Sequence, residues 1–377
     1  MFDYETLRII WWLLLGTLLI GFAVMDGFDL GVAALLRVLT RNEHERNALL
    51  ETIEPVWEGN QVWLILGAGS VFAAWPLLYA ASFSGFYFAI FLLLLALILR
   101  PVGFGFRDKI ENPRWRNVWD WLVTFSGTVP SLIFGIAFGN LFLGVPFRYD
   151  ETLRMTYEGG LIGLLRPFPL LVGVVSLTML MMHGAAYASM KADEIIAARA
   201  ARLLRWLSPA FVLSYALAGI WLALGIPGYS ISGAGVFDGP SNPLAKQVTV
   251  GGGWLSDGPL GGWACVAAGV ALLAALAVPL LARGASHRTA FVASALAVAG
   301  TILSAGFALF PFLMPSALDP RSSLTLWDAS SSKTTLGLML FATVLILPVV
   351  VAYTTWVYRV LRGRVSLAHV KQTHGMH

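Results

Sequence analysis

Charge is scarce in this chain and cysteine is almost absent. Lys, Arg, Asp and Glu supply 12% of the 377 residues, about half the share of an ordinary soluble domain. The single cysteine, Cys265, excludes an internal disulfide and any cysteine-rich metal or iron–sulfur site. There is no dense basic tract of the kind that binds nucleic acid, and the formal net charge is only +4. Histidine is sparse as well. Of six, His369, His374 and His377 fall in the tail. His183 stands alone in an apolar run, where a packed core role is the expectation. Met179 and His183 would point the same way from one helix, so they offer no axial pair for a haem. Short alternating segments that would build a membrane barrel are missing, and no internal repeat is evident.

What is present is apolar length. Hydrophobic residues make up 58% of the chain and the mean hydropathy is +0.75. The runs are continuous and about 20 residues or longer, which predicts spanning helices. The expected fold is an all-α polytopic membrane protein, one bundle over residues 1–377. Nine spans fit, at about 9–36, 56–75, 78–100, 119–144, 167–190, 207–225, 262–282, 289–313 and 335–358. Trp75-Pro76 separates the second from the third, because proline does not continue a helix cleanly. The stretch Arg37 to Glu54 reads as an interfacial helix, and the first run reads as a retained span rather than a signal peptide. The connection 226–261 is rich in Gly, Pro and Ser and long enough to carry a role of its own.

Charge bias orients this bundle. With nine spans, the loops on the C-terminal side hold 17 Lys and Arg and those on the other side hold 7, with Arg100 left inside or at a span end. The N-terminus is expected outside, the C-terminus in the cytoplasm and the connection 226–261 outside.

Two acids interrupt the first span. Asp26 and Asp29 are three positions apart, about 60° around a helix and about 4.5 Å along it, so they share a face. An acidic side chain in a span costs roughly 2.5 kcal/mol or more. In the nine-span topology Asp26, Asp29, Glu58 and Arg100 come from three consecutive spans and converge at one cytoplasmic-side depth. A carboxylate string with one arginine, open inward and closed outward, suits a proton half-channel. The same residues also suit structural ion pairs, with Asp29 or Glu58 neutralising Arg100. Asp120, at the edge of the fourth span, reads as structural. Three uses stay open on the residues alone: proton delivery, a purely structural membrane partner, and a proton-coupled secondary transporter. Inverted repeats and broken midplane helices, which would favour the last, are not evident.

Several long segments carry a resemblance. They include Phe2-Asp3-Tyr4-Glu5, Gly21-Phe22-Ala23-Val24-Met25-Asp26-Gly27-Phe28-Asp29-Leu30-Gly31 and Glu54-Pro55-Val56-Trp57-Glu58-Gly59-Asn60-Gln61. Further on come Arg100-Pro101-Val102-Gly103-Phe104, Ser241-Asn242-Pro243-Leu244 and Phe310-Pro311-Phe312-Leu313-Met314-Pro315-Ser316. Nearly the whole chain resembles subunit II of cytochrome bd-type quinol oxidases. The resemblance implies a heterodimeric terminal oxidase of the bacterial inner membrane that oxidises quinol outside and reduces oxygen to water. It implies haems b and d in the partner subunit I and none in this chain. Small single-span subunits join some members, and a structural quinone is held in subunit II of some. Carried over residue by residue, the family's cytoplasmic proton route would use Asp29, the carboxylate at 58 and Arg100, with Asp26 and Trp57 adjacent. Two departures stand out. Glu58 occupies a position where the family often has aspartate. Gly105 stands where some members have a carboxylate, and Asp108, three residues on, is the expected substitute on the same helical face.

Overall fold

The computed structural model describes residues 2–232, 238–283 and 287–365. His369, His374, His377 and Lys371 therefore lie outside the described residues, as does part of the connection 226–261. The chain opens with α1 (Tyr4–Leu39), capped by Asp3, whose side chain accepts from the Thr6 amide at 2.7 Å. A short α2 (Glu43–Leu50) follows in the stretch expected to be interfacial, capped by Asn42. Then come α3 (Trp57–Ala74), α4 (Pro76–Gly85), α5 (Tyr87–Phe106) and α6 (Pro113–Leu143). Beyond a hairpin of β1 (Phe147–Tyr149) and β2 (Met155–Tyr157) lie the four-residue α7 (Leu161–Leu164), α8 (Pro167–Lys191) and α9 (Glu194–Gly225). Strands β3 (Pro227–Ser232) and β4 (Gln247–Gly253) pair antiparallel. After α10 (Gly261–Leu281) and α11 (His287–Leu309), strands β5 (Phe312–Met314) and β6 (Leu324–Thr325) pair, and α12 (Lys333–Val360) closes the bundle.

Eight of these helices are long and apolar enough to cross a membrane, and the α3–α4 pair, bent by 119°, adds a ninth if it counts as one span. Two expectations change. The chain is helical in its body but not wholly α, because three two-stranded antiparallel pairs fold into the connections. The helix expected over 78–100 is two helices. Pro76 starts α4 at its first turn, and the chain breaks again at Phe86 before α5 begins. Ala74 O accepts from Ser331 N at 2.7 Å, and Gly85 packs against Tyr157 and Met314. Both ends of α4 therefore sit beside the same set of loops, while α3 is roughly 27 Å long at 1.5 Å per residue.

Polar contacts sort the loops into two sets. At one end, Arg199 pairs with Glu45, Arg116 with Glu43, Arg37 donates to Asn117, and Lys191 donates to Gly363 O. At the other, Arg8 donates to Ser330 and Ser241, the Tyr4 amide donates to Asp238, and Lys246 pairs with Asp328. These are the same two groups that the Lys and Arg distribution separates.

The first helix runs through the middle of the fold. Its C-terminal half, from Asp26 to Leu36, is buried without a break. Small residues make this possible. A methyl group on Gly31 would strike the Leu180 carbonyl of α8, and one on Gly184 would strike the Gly31 backbone. One on Gly127 of α6 would strike Leu30 O and Ala34 N. Backbone lies against backbone on two sides of α1, and the acids of α1 are enclosed as a result.

Candidate functional site: the buried acids of the first helix

Asp26, Asp29 and Arg100 are all fully buried. Arg100 is delivered by α5, one position before Pro101, and its Nη2 meets Asp26 Oδ1 at 2.8 Å. The Trp57 ring from the first turn of α3 lies under the guanidinium, 5.7 Å from Cζ to centroid, within cation–π range. Asp29 Oδ2 accepts from Asn60 Nδ2 at 2.8 Å, and Asn60 Oδ1 accepts from the Tyr358 hydroxyl at 2.8 Å. Helices α1, α3, α5 and α12 thus meet at one polar island within an apolar bundle.

The pairing is one-sided. Each carboxylate has one oxygen tied, Asp26 Oδ1 to Arg100 and Asp29 Oδ2 to Asn60. The other oxygen of each, Asp26 Oδ2 and Asp29 Oδ1, is buried with no hydrogen-bond partner among the described residues. The Arg100–Asp26 contact is an ion pair without hydrogen-bond geometry, so Asp26 Oδ1 and all three Arg100 nitrogens also lack a hydrogen-bond partner among the described residues. Buried polar atoms are ordinarily satisfied by protein or by ordered water.

The remaining sequence candidates fall elsewhere. Glu58 is exposed at the start of α3, next to Trp57, and no ion pair or hydrogen bond holds it among the described residues. Asp108 is exposed too and belongs to a second charged group. Arg107, about two turns beyond Arg100, bridges Asp108 and Asp120 at 2.8 and 2.7 Å, and Arg46 reaches the other oxygen of Asp120 at 3.0 Å. Asp120 is therefore fully buried in a clamp that ties α2 and the turn after α5 to α6. His183 is a core residue. Its Nε2 donates to Val24 O at 2.9 Å, its Nδ1 lies 2.8 Å from Ser294 Oγ, and its ring stacks on Phe291. Both ring nitrogens make hydrogen bonds within the bundle. Among the described residues no group of three or more His, Cys, Asp or Glu could hold a metal ion.

Sequence reasoning missed the partners of Asp29. Asn60 lies in a segment that carried the resemblance, but its contact with Asp29 leaves no local signal. Tyr358, in the last turn of a very apolar helix, looks like an interfacial anchor.

A separate apolar cavity of about 500 Å³ opens between α1, α6, α8, α9, α10 and α11. Phe22, Phe134, Phe138 and Leu222 line it. Tyr215, whose hydroxyl pairs with Ser304 Oγ at 2.5 Å, provides its main polar feature.

Comparison with known proteins places the chain in a family. The family model for cytochrome bd terminal oxidase subunit II matches residues 7–361. The chain belongs to the cytochrome bd terminal oxidase subunit II family. It is 47% identical, over the full length of both chains, to the cytochrome bd-I ubiquinol oxidase subunit 2 of Escherichia coli (strain K12). It is 31% identical to the cytochrome bd ubiquinol oxidase subunit 2 of Bacillus subtilis (strain 168), covering 96% of this chain and 97% of that one. The solved bd oxidase of Geobacillus thermodenitrificans shares the fold, with a TM-score of 0.69 and 17% identity over 95% of this chain and 99% of that chain. Subunit II of a cytochrome bd oxidase is a multi-pass membrane component of a respiratory oxidoreductase complex. Such a complex contains haem and a subunit I. A stand-alone transporter, one of the uses the acids left open, gives way to this membership.

Proposed function

We propose that this chain is the haem-free half of a quinol:oxygen oxidoreductase, and that its buried acids deliver cytoplasmic protons for the reduction of oxygen to water. The observation that supports this best is the half-tethered state of Asp26 and Asp29. A carboxylate bound at both oxygens is a structural element. One held at a single oxygen is fixed in place and can still exchange a proton at the other. Two carboxylates with one arginine carry a net charge of −1 when both are ionised, and one proton brings the site to neutrality. A site that gains and loses a single proton at low cost is what a relay inside a membrane requires.

The route runs from the cytoplasmic end. The nine spans are α1, α3 with α4, α5, α6 and α8 to α12, with the N-terminus outside and the C-terminus in the cytoplasm of a bacterial inner membrane. The Lys and Arg bias supports that orientation. Asp108 lies on the cytoplasmic side of Arg100 and serves as an entry group. Glu58, exposed beside the Trp57–Arg100 contact, faces the partner or the mouth of the route. Subunit I docks on the side formed by α3, α5 and α12, where Asn60, Arg100 and Tyr358 converge. Both α5 and α12 leave large apolar side chains exposed, Phe88 and Phe91 on the first and Leu338 and Phe341 on the second. Small single-span subunits and lipid occupy the remaining perimeter.

The direction of uptake gives the work. Quinol releases its protons outside, and oxygen reduction draws its protons from inside. Each elementary charge separated against 100 mV stores roughly 2.3 kcal/mol. The haems b and d, held by subunit I, supply the electron transfer and the oxygen chemistry. The cavity beside Phe22, Phe134 and Phe138 has the size and apolar lining of a small-molecule site. It would hold a quinone ring and the start of its tail structurally, with the Tyr215 hydroxyl near the head group.

The test is Asp29→Asn and Glu58→Gln in the assembled oxidase. Turnover falls while haem content stays normal. Unchanged turnover in a correctly assembled variant removes that residue from the route.

A further inference from the structure

Helix α12 is thinly held. Leu336 is its one buried residue among those described. Even so, Tyr358 in its last turn reaches the centre of the polar island. The chemistry of the three groups fixes the direction of this contact. A carboxylate only accepts, so the Asn60 amide turns its NH2 toward Asp29 Oδ2. Its carbonyl oxygen then faces outward and accepts from the Tyr358 hydroxyl. Both donors point toward Asp29. Protonating Asp29 at its free oxygen leaves Oδ2 an acceptor, so the arrangement survives both states of the acid.

An amide nitrogen is not basic and passes no proton at neutral pH. We propose that Asn60 and Tyr358 are positioning residues that lock Asp29 through Oδ2, insulate it on the side of α12 and leave Oδ1 as its exchanging atom. This rests on the proton route proposed above. A second observation places the phenol. The end of α12 is fixed from outside the apolar body, because Lys191 Nζ donates to Gly363 O at 2.8 Å and also to Leu361 O, and Val365 N donates to Lys191 O at 3.0 Å. The tie sets where Tyr358 sits, and Tyr358 sets the angle of the Asn60 amide. Without the phenol the amide is free to turn, and Asp29 loses its fixed presentation.

The test uses the complete oxidase with its native partner subunit. Tyr358→Phe keeps the ring and removes the donor. The expected result is normal haem content, an unchanged KM for quinol, and a kcat lowered about threefold to tenfold, the effect of losing one hydrogen bond. The solvent deuterium isotope effect on kcat rises above that of the wild type, because proton transfer becomes slower relative to the other steps. A purely structural tyrosine would not change that isotope effect. Asn60→Leu gives the same readout with the phenol retained, should Tyr358→Phe not assemble. If both fail to assemble with haem, the pair belongs to folding and the positioning role is overturned. If Tyr358→Phe leaves kcat and isotope effect unchanged while Asp29→Asn stops turnover, the clamp is wrong and the route stands. If Asp29→Asn itself turns over normally, the route falls and the clamp falls with it.

Discussion

Arg100 Nη2 lies 2.8 Å from Asp26 Oδ1, and both side chains are completely buried. The contact joins α5 to α1 within the helical body, beside the first turn of α3. Removing one partner leaves an uncompensated charge, which costs about 3 to 5 kcal/mol. Arg100→Leu is therefore expected to lower the thermal midpoint of the purified complex and its yield. Arg100→Lys keeps the charge but loses the planar fork and should fall between the two. Equal midpoints for Arg100→Leu and wild type would show that the pair contributes nothing to stability.

The close crossing of α1 and α8 is a second point of sensitivity. Gly31 and Gly184 lie backbone to backbone, and a Cβ on either meets main-chain atoms that cannot yield. Gly31→Ala should separate the two helices and reduce the amount of assembled complex severalfold. Gly16→Ala, in the same helix with open space around it, is the control and should assemble normally. Blue native electrophoresis of membranes from the two variants makes the comparison.

The loops around β4 and β6 hold a largely buried ion pair, Lys246 Nζ to Asp328 Oδ2 at 2.8 Å. Burial pushes the Asp328 carboxyl up and the Lys246 amine down, each opposed by the charge of the other. Lys246→Met should destabilise by about 3 kcal/mol because Asp328 is left unpaired, and Lys246→Met with Asp328→Leu should recover much of that loss. Thermal unfolding of the complex reads both.

At the opposite end, hydrogen bonding from Arg199 holds the Glu45 carboxyl below its ordinary value, against the smaller opposing effect of burial. A depressed carboxylate contributes stability that is complete above its unfolded value and is lost as pH falls through its folded one. The Arg199–Glu45 contact, 2.6 Å between Nη1 and Oε2, should then contribute about 1 kcal/mol at pH 7 and nothing in strong acid. The stability difference between wild type and Glu45→Gln, followed from pH 7 downward, should shrink below about pH 4. A constant difference would assign the effect to packing.

Much of this fold is legible in the sequence because membrane helices carry their own signal. Long apolar runs gave helices close to their observed positions, and Asp26, Asp29 and Arg100 were found through the cost of burying charge. The failures have specific causes. The break at Phe86 falls in a stretch, Ser84-Gly85-Phe86-Tyr87, with no proline or charge to mark it, and the 119° bend of α4 depends on loops far along the chain, such as Ser331 against Ala74. Strands β3 and β4 were hidden because Gly251 and Gly252, both at positive φ, carry turn signals into the strand itself. The Tyr358–Asn60 contact spans 298 positions, beyond any local pattern. Asp108 and Glu58 followed from spacing and resemblance, and neither spacing nor resemblance reports exposure.

The central claim is that Asp29 carries protons taken up from the cytoplasmic side. The most direct measurement is proton uptake by the oxidase in liposomes, oriented with its cytoplasmic face to the bulk solution and driven by quinol and oxygen, for wild type and Asp29→Asn. With haem content matched, the variant is expected to lose most of its bulk-side uptake together with its turnover. Full uptake and full turnover in Asp29→Asn would contradict the account and leave Asp26, Asp29 and Arg100 as a structural ion cluster.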